Sequence, residues 1–216
     1  MKLPNKIALI GGTGKSGKYL TKQLINNRIP FRILVRNPDR VPSGWRGADV
    51  VFGDVADYDT VHKLLEGCVA VISTLGLGNP PSEPTIFSKA TSHVLKAMKA
   101  HKITRYILIS GLNVDAKTDH KGERTSNATK WMYANFPVST RDRQLEYKLL
   151  SDSGLDWTLV RLPMIIQTTV TKPIATSLKD CPGDQIGAKD LAIFLIGQLS
   201  SENNLREAPF LANIAD

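Results

Sequence analysis

Short apolar runs alternate with helical segments from one end of this chain to the other, and this alternation constrains its fold more than any other feature. Predicted strands cover residues 7–10, 31–35, 50–52, 69–74, 105–110, 157–161 and 208–211. Predicted helices cover residues 18–27, 57–66, 86–99, 140–153 and 188–199. Because the strands are nearly all apolar, we expect both of their faces to be buried, as in a parallel sheet. The pattern predicts an α/β fold in which helices cover both faces of a doubly wound parallel sheet.

The chain is predicted to form one domain over residues 1–216, because no repeat, low-complexity segment or linker divides it. Two segments depart from the alternation, residues 77–85 and residues 112–135, and the second is polar and irregular. They follow the fourth and fifth predicted strands, at the carboxyl edge where open α/β sheets bind ligands. We therefore expect both segments to contribute to a substrate pocket.

Composition and charge exclude several classes of protein. No apolar run approaches the roughly 20 residues that span a bilayer, and Cys68 and Cys181 alone supply neither a disulfide framework nor zinc-ligand spacing. The first predicted strand starts near Lys6 and leaves no room for a signal peptide, so we expect a cytoplasmic protein without a metal site. The net charge of +8 comes from scattered lysines and arginines. This scatter predicts no dedicated nucleic-acid site, although the positive field would favour a small anionic ligand.

The stretch KIALIGGTGKSGKYL contains two patterns that are typical of phosphate-binding loops. A nucleoside-triphosphate loop needs Ser or Thr after its lysine as a magnesium ligand, but Tyr19 follows Lys18. The GKS at residues 14–16 lacks a glycine five positions earlier, where Leu9 stands. Both departures argue against a triphosphate loop.

The second pattern is the dinucleotide fingerprint G-x-G-x-x-G, which Gly12, Gly14 and Gly17 match. Strand, glycine-rich turn and helix occur here in the required order. The helix that begins near Ser16 would direct free N–H groups and the positive end of its dipole at a pyrophosphate. The stretch therefore predicts a dinucleotide-binding loop, with a purely structural turn as the alternative.

The end of the second predicted strand discriminates between the two nicotinamide dinucleotides. Proteins that bind NAD usually place Asp or Glu there for the ribose 2′-hydroxyl, whereas this chain has Arg36. A guanidinium can bind a 2′-phosphate through two hydrogen bonds, and Arg40 and Lys15 could add positive charge. Asp39 argues for NAD(H) instead, because its carboxylate could still bind a ribose hydroxyl. Together these residues predict NADP(H) as the cofactor.

Longer stretches of the sequence resemble a known family. IALIGGTGKSGKYL, ILVRNPDRV, VVFGDVADYDTVHKLLEGCVAVISTLG, RYILISGLNV and SGLDWTLVRLPMI together resemble the atypical short-chain dehydrogenase/reductase group. The branch they resemble most is the NAD(P)H-binding proteins similar to flavin reductase/biliverdin-IXβ reductase and the NmrA-like proteins. The resemblance covers almost the whole chain and implies a Rossmann fold, but its motifs do not specify a reaction.

The resemblance assigns cofactor roles by position. It implies that the loop holds the pyrophosphate through Gly11, Gly12, Thr13, Gly14, Lys15, Ser16 and Gly17. It implies that Asp54 and Val55 flank the adenine and that Arg36 holds the 2′-phosphate, although Asp54 could equally be a turn residue. The other implied contacts, from the adenosine side to the nicotinamide, are Thr74, Leu75, Gly76, Ser110, Gly111, Pro163, Met164 and Ile165.

The chain departs from the family pattern at the catalytic residues. None of the five tyrosines has a lysine four residues later, so the Tyr-x-x-x-Lys pair of complete short-chain dehydrogenases is missing. In the reductase branch the nicotinamide supplies the hydride and the protein mainly positions it. Ser110 and Tyr147 are the candidate catalytic residues, and Arg143 is a candidate cofactor contact on the same helix as Tyr147. Water could replace Ser110 as the proton source.

These observations favour an NADPH-dependent oxidoreductase that reduces a conjugated small-molecule acceptor, such as a flavin, a quinone or a tetrapyrrole. The first alternative is an NmrA-like regulatory protein that senses NADP(H) without turnover. A sugar-nucleotide epimerase or dehydratase and a helper in the assembly of a larger complex are further alternatives. We expect a monomer, because no apolar surface helix stands out in the sequence.

Overall fold

The computed structural model describes residues 6–41, 45, 49–78 and 81–214. Its strands are β1 (Lys6–Ile10), β2 (Phe31–Val35), β3 (Asp49–Phe52), β4 (Cys68–Ser73), β5 (Arg105–Gly111), β6 (Asp156–Leu162), β7 (Met164–Ile166), β8 (Ile174–Ser177), β9 (Gln185–Gly187) and β10 (Phe210–Asn213). Its helices are α1 (Gly17–Asn26), α2 (Tyr58–Leu65), α3 (Ile86–His101), α4 (Glu123–Asn135), α5 (Pro137–Asp152) and α6 (Ala188–Gly197). A short 3₁₀ turn over Pro38–Arg40 follows β2.

Eight strands form one sheet in the order β3-β2-β1-β4-β5-β6-β10-β8. All neighbours are parallel except β10 and β8, which are antiparallel. A separate parallel pair joins β7 to β9. The predicted α/β fold with a doubly wound parallel sheet is confirmed. The strand order reverses between β1 and β4, which makes the carboxyl ends of these two strands the expected ligand-binding crevice.

Alternate side chains of each strand supply two hydrophobic cores, one on each face of the sheet. Ala8 and Ile10 of β1 belong to the core that also contains residues of α2, α3 and α5. Ile7 and Leu9 belong to the opposite core, which contains residues of α1 and α6. Because both faces of the strands are covered, the sequence of each reads as an apolar run rather than an alternating one.

Three parts of the structure differ from the sequence-based expectation. Residues 112–135, expected to be irregular, contain α4, whose buried positions are Thr125 and Thr129. This helix has no apolar stripe, so its periodicity was invisible in the sequence. Strands β7, β8 and β9 are only three or four residues long and were not predicted. The last strand begins at Phe210, two residues later than predicted.

Aspartate side chains fix the starts of α2 and α3. The carboxylate of Asp57 accepts hydrogen bonds from the backbone N–H groups of Asp59 and Thr60 at the start of α2. Asp142 of α5 accepts from the N–H groups of Phe87 and Ser88 at the start of α3.

None of the helices in the described part of the chain combines the length and the apolar composition that a membrane span requires.

Candidate functional site

A cavity of about 950 Å³ lies at the carboxyl edge of the sheet, near the ends of β1 and β4, where the strand order reverses. The ends of six strands contribute to it. Its lining consists of Ile10, Gly11, Thr13, Gly14, Lys15, Ser16, Leu34, Arg36, Asn37, Arg40, Gly53, Asp54, Val55, Thr74, Leu75, Gly76, Leu77, Gly78, Ser82, Ile109, Ser110, Gly111, Arg143, Leu162, Pro163 and Ile165.

The glycine-rich loop forms one wall of this cavity and packs tightly against β4. Gly11 has a φ of +77°, and a Cβ atom there would lie 2.6 Å from the carbonyl oxygen of Thr74. A Cβ atom at Gly17 would lie 2.1 Å from the carbonyl oxygen of Gly11. Both positions therefore require glycine, because any side chain would push the start of α1 away from the strands. The close packing brings the N-terminus of α1 to the cavity.

The N-terminus of α1 has no capping side chain, and its first turn contains no acidic residue. Ser16, at the N-cap, lines the cavity together with Gly14 and Lys15. An uncompensated helix N-terminus combines N–H donors with the positive end of the helix dipole, which suits an anion. A Cβ atom at Gly14 would meet only the Gly11 carbonyl oxygen, at 3.1 Å, so space remains on the other side of this residue.

Arg36 lies directly after β2 and lines the same cavity. Its Nη1 donates a hydrogen bond to the hydroxyl of Ser82, over a distance of 2.8 Å. Arg40, in the 3₁₀ turn, also lines the cavity, whereas Asp39 does not. Positive side chains therefore predominate at this end of the cavity.

Asp54 and Val55 line the cavity beyond β3. One oxygen of the Asp54 carboxylate accepts a hydrogen bond of 2.8 Å from the N–H of Ala56, so Asp54 also closes a turn. The carbonyl oxygen of Val55 lies 3.1 Å from Nδ1 of His93 on α3. These contacts hold the turn in place without using the second carboxylate oxygen of Asp54.

Ser110, at the end of β5, lines the middle of the cavity wall. The residue is only 4% exposed, and no residue in the described part of the chain makes a hydrogen bond to its hydroxyl. Buried hydroxyls normally have a partner, because leaving one unsatisfied costs free energy. A ligand in the cavity could supply that partner.

Arg143 reaches the cavity wall from α5, and its guanidinium bonds to the protein itself. It donates to the carbonyl oxygens of Leu75 and Ile109, at 2.9 and 3.0 Å, and to the carboxylate of Glu146 at 2.8 Å. Its guanidinium carbon lies 3.4 Å from the centre of the Phe87 ring. Arg143 thereby connects the ends of β4 and β5, which both contribute to the cavity wall.

Glu146 lies behind Arg143 and is buried. Burial raises the pKa of this carboxyl group above its ordinary value, although the positive charge of Arg143 and hydrogen bonds from Arg143 and Thr91 oppose the rise. The carboxyl group does not line the cavity. It supports Arg143 from behind rather than facing a ligand.

Most of the predicted site residues line this cavity, and four do not. Gly12 is buried, and a Cβ atom there would lie 2.5 Å from the Ile33 side chain. Gly17 packs against Gly11 as described above, and Met164 is 68% exposed. Tyr147 packs edge-to-face on Trp157, with ring centroids 5.9 Å apart, and lines a separate surface depression. Tyr147 therefore does not line the cavity in this structure.

Sequence reasoning missed several lining residues. Leu77, Gly78 and Ser82 belong to the segment 77–85, whereas no residue of 112–135 lines this cavity. Asn37 and Gly53 follow strand ends, and that position in the chain could have identified them. Nothing in the sequence indicated the contact between Ser82 and Arg36, because it joins residues 46 positions apart. Among the described residues, no cluster of His, Cys, Asp or Glu could hold a metal ion.

The amino-acid sequence is similar to known proteins over most of its length. A family model described as NAD(P)H-binding matches residues 11–202. The photosystem II assembly factor Ycf39 of Cyanophora paradoxa is 26% identical over 162 residues, which is 72% of this chain and 44% of that protein. The (4-alkanoyl-5-oxo-2,5-dihydrofuran-3-yl)methyl phosphate reductase of Streptomyces griseus is 26% identical over 76% of this chain and 50% of that protein. The chain thus spans about half the length of these curated relatives.

Solved structures share the fold over nearly the whole chain. A short-chain dehydrogenase/reductase from Veillonella parvula in complex with NADP has a TM-score of 0.80 at 16% identity, covering 98% of this chain and 95% of that one. ChuY, an anaerobillin reductase from Escherichia coli O157:H7, has a TM-score of 0.80 at 19% identity, covering 97% of each chain. At these identities the likeness shows the fold alone.

Proposed function

The chain belongs to the NAD(P)H-binding family, and we propose that it is an NADPH-dependent oxidoreductase that passes hydride to a conjugated small-molecule acceptor of the flavin, quinone or tetrapyrrole type. One observation carries the proposal. The glycine-rich loop, Arg36 and the unpartnered hydroxyl of Ser110 line a single cavity at the switch point of the sheet. These are the groups that would bind a pyrophosphate, a 2′-phosphate and a reacting acceptor.

The cavity residues fit a dinucleotide. A Cβ atom at Gly76 would meet nothing within 4 Å, and the space beside Gly14 is also open, so both positions leave room for a ligand close to the backbone. The proposed pyrophosphate contacts are the N–H groups at the start of α1. Arg36 would bind the 2′-phosphate, and the second carboxylate oxygen of Asp54 would accept from the adenine amino group. When bound, the cofactor supplies the hydride.

The remaining proposed roles belong to residues near the reacting end. Ser110 and Gly111 would contact the nicotinamide ribose, and Pro163 and Ile165 would pack on the nicotinamide. The Ser110 hydroxyl would donate a hydrogen bond to the acceptor and pass on its proton, and water would return a proton to the Ser110 oxygen. Arg143 holds the backbone of Leu75 and Ile109 and so keeps both walls in position.

The proposed acceptor class follows from the missing Tyr-x-x-x-Lys pair. Without this acid, the favoured substrates are those whose conjugation stabilises the added electron pair. Apolar side chains of Ile109, Leu162 and Ile165 line the cavity and would suit a flat ring system. The name of one similar protein, a (4-alkanoyl-5-oxo-2,5-dihydrofuran-3-yl)methyl phosphate reductase, also supports reduction.

A non-catalytic role is the second candidate. The missing Tyr-x-x-x-Lys pair would suit an NADP(H)-sensing protein, and two curated relatives are named as photosystem II assembly factors. A sugar-nucleotide epimerase or dehydratase is disfavoured, because such enzymes also use the Tyr-Lys pair.

The test is a fluorescence titration with NADPH and with NADH, followed by an acceptor screen. We expect micromolar binding of NADPH, much weaker binding of NADH, and oxidation of NADPH by at least one flavin, quinone or tetrapyrrole. Tight NADPH binding without oxidation by any acceptor would favour the sensing role instead. Failure to bind either nucleotide would refute both.

A further inference from the structure

A side chain in the segment that precedes α3 contacts the residue that follows β2. Strand β1 lies between β2 and β4 in the sheet, so a contact between these two regions passes over the carboxyl end of β1, where the glycine-rich loop begins. Ser82 of this segment and Arg36 make that contact, with 2.8 Å between the Ser82 hydroxyl and Nη1 of Arg36. Both residues line the cavity.

Local contacts hold Ser82 in this position. Its backbone N–H donates to the carbonyl oxygen of Leu77 over 2.6 Å. The segment then enters α3, whose first N–H groups are bound by the buried carboxylate of Asp142. Ser82 is therefore held in place by its backbone bond to Leu77 and by its short connection to the anchored helix α3.

The chemistry of this pair suits a phosphate. The Ser82 hydroxyl accepts the hydrogen bond from Arg36, so its own O–H is still available as a donor. A guanidinium carries five N–H donors in a planar fork and can bind an anion while keeping a neighbouring contact. A 2′-phosphate has several strong acceptor oxygens, whereas the 2′-hydroxyl of NADH offers only one neutral oxygen.

We propose that Ser82 is a specificity-determining residue, which donates its hydroxyl to the 2′-phosphate of NADPH opposite Arg36. This inference rests on the proposed NADPH-dependent function and adds a second 2′-phosphate ligand from another element. It also predicts that the 2′-phosphate bridges β2 and the segment that leads into α3. NADH, which lacks the phosphate, leaves Ser82 and Arg36 bonded to each other.

The test compares three variants by isothermal titration calorimetry. Ser82→Ala removes the hydroxyl, and Ser82→Thr keeps one. Thr85→Ala is the matched control, because Thr85 is an exposed hydroxyl residue of the same segment whose side chain makes no capping hydrogen bond. The probes are NADPH, NADH and the fragments 2′,5′-ADP and 5′-AMP, which isolate the contribution of the 2′-phosphate.

We expect Ser82→Ala to raise the Kd for NADPH and for 2′,5′-ADP by about tenfold, the value of one hydrogen bond to a charged group. The Kd for NADH and 5′-AMP should stay unchanged, and Thr85→Ala and Ser82→Thr should bind NADPH as the wild type does. If the wild type binds NADPH and Ser82→Ala binds it equally or more tightly, the role of Ser82 is overturned and the proposed function still stands. A wild type that binds neither NADPH nor 2′,5′-ADP would overturn the proposed function together with it.

Discussion

Arg36 is the residue to which we assign the largest part of the preference for NADPH, because it occupies the strand end where an acidic residue would select NAD. We predict that Arg36→Asp weakens NADPH binding by about 1–3 kcal/mol, the worth of a charge-assisted contact. The same change should bring the NADH affinity close to that of NADPH. Calorimetry with both nucleotides measures it.

Arg28→Asp is the control for this charge reversal. Arg28 is an exposed residue beyond the C-terminus of α1, at the opposite end of that helix from the cavity. Its reversal changes the net charge by the same amount without changing the proposed site. An equal loss of NADPH affinity in both variants would mean that the general positive field, rather than Arg36, attracts the cofactor.

Substitution of Ser110 should change the catalytic rate without changing the stability of the protein. Since no described residue bonds to its hydroxyl, Ser110→Ala removes no hydrogen bond within the protein and should leave the thermal midpoint unchanged. We predict a fall in kcat of about 10² or more, as expected when a positioned proton donor is lost, with little change in the Kd for NADPH. Steady-state kinetics with the best acceptor measures this, and an unchanged kcat would assign the proton transfer to water.

Substitution by valine should have different consequences at Gly14 and at Gly11: loss of NADPH binding at the first and loss of stability at the second. At Gly14 a side chain would enter the space that we assign to the pyrophosphate, so Gly14→Val should abolish NADPH binding in a folded protein. At Gly11, a Cβ atom would lie 2.6 Å from the Thr74 carbonyl oxygen at a φ of +77°, so Gly11→Val should lower the stability itself. Nucleotide titration combined with thermal unfolding distinguishes the two, and normal binding by a folded Gly14→Val protein would remove the loop assignment.

At the scale of elements, one buried arginine joins four parts of the chain. Arg161 of β6 is 0% exposed and donates to Asp119, to the carbonyl oxygens of Val114 and Ala208, and to that of Leu178. Burial lowers the pKa of its guanidinium, whereas the hydrogen bond and charge of Asp119 raise it. Arg161 thus anchors the segment after β5 and the turn after β8 to the sheet.

We predict that Arg161→Met lowers the free energy of unfolding by about 3 kcal/mol, because it removes the buried cation beside the Asp119 carboxylate and the hydrogen bonds to the carbonyl oxygens of Val114 and Ala208. Arg206→Met is the control, since the Arg206–Asp156 pair is exposed and such pairs contribute about 1 kcal/mol or less. Urea denaturation of both variants measures the difference. Equal losses would show that the buried pair contributes no more than a surface one.

The sequence predicted mainly those elements whose buried positions are apolar and recur with the spacing of a strand or a helix. Strands β1, β2, β4, β5 and β6 are apolar because helices cover both of their faces, and amphipathic α2 and α3 show their inner faces directly. Helix α4 could not be predicted in this way, because threonines occupy its buried positions. The short β7–β9 pair depends on tertiary contacts between distant segments, and three residues carry too little periodicity to reveal it.

The candidate site could be predicted mainly where its residues follow strand ends. The glycine-rich loop, Arg36, Asp54, Thr74 and Ser110 all do, and the order of strands brings them together at one edge. Ser82 lies nine residues after β4 and was not predicted as a site residue, whereas Arg143 of α5 was predicted as a cofactor contact but not as the residue that bonds to Leu75 and Ile109. Such positions depend on side-chain reach and helix packing, which a single sequence does not encode in a readable pattern.

At the scale of the whole molecule, the cavity lies at the point where the strand order reverses, between β3-β2-β1 on one side and β4-β5-β6 on the other. The resemblance to the atypical short-chain dehydrogenase/reductase group is confirmed by the family match and the similar folds. The proposed ligand contacts come from β1, β2 and β3 on one side and from β4, β5 and β6 on the other. A dinucleotide bound there would connect both halves, so its binding free energy should appear in the stability of the entire domain.

We predict that NADPH at 100 times its Kd stabilises the protein against unfolding by about 2.7 kcal/mol, since a ligand that binds only the folded state contributes RT ln(1 + [L]/Kd). For a chain of this size the thermal midpoint should rise by several degrees, about 2–4 °C per kcal/mol. NADH at the same concentration should raise it less, and the Arg36→Asp protein should lose most of the difference between the two nucleotides. Differential scanning calorimetry of the wild type, Arg36→Asp and Arg28→Asp, each with either nucleotide, measures all of these shifts. Equal shifts by NADPH and NADH in the wild type would contradict the assignment of the 2′-phosphate to Arg36, because a ligand stabilises the fold only through its own affinity.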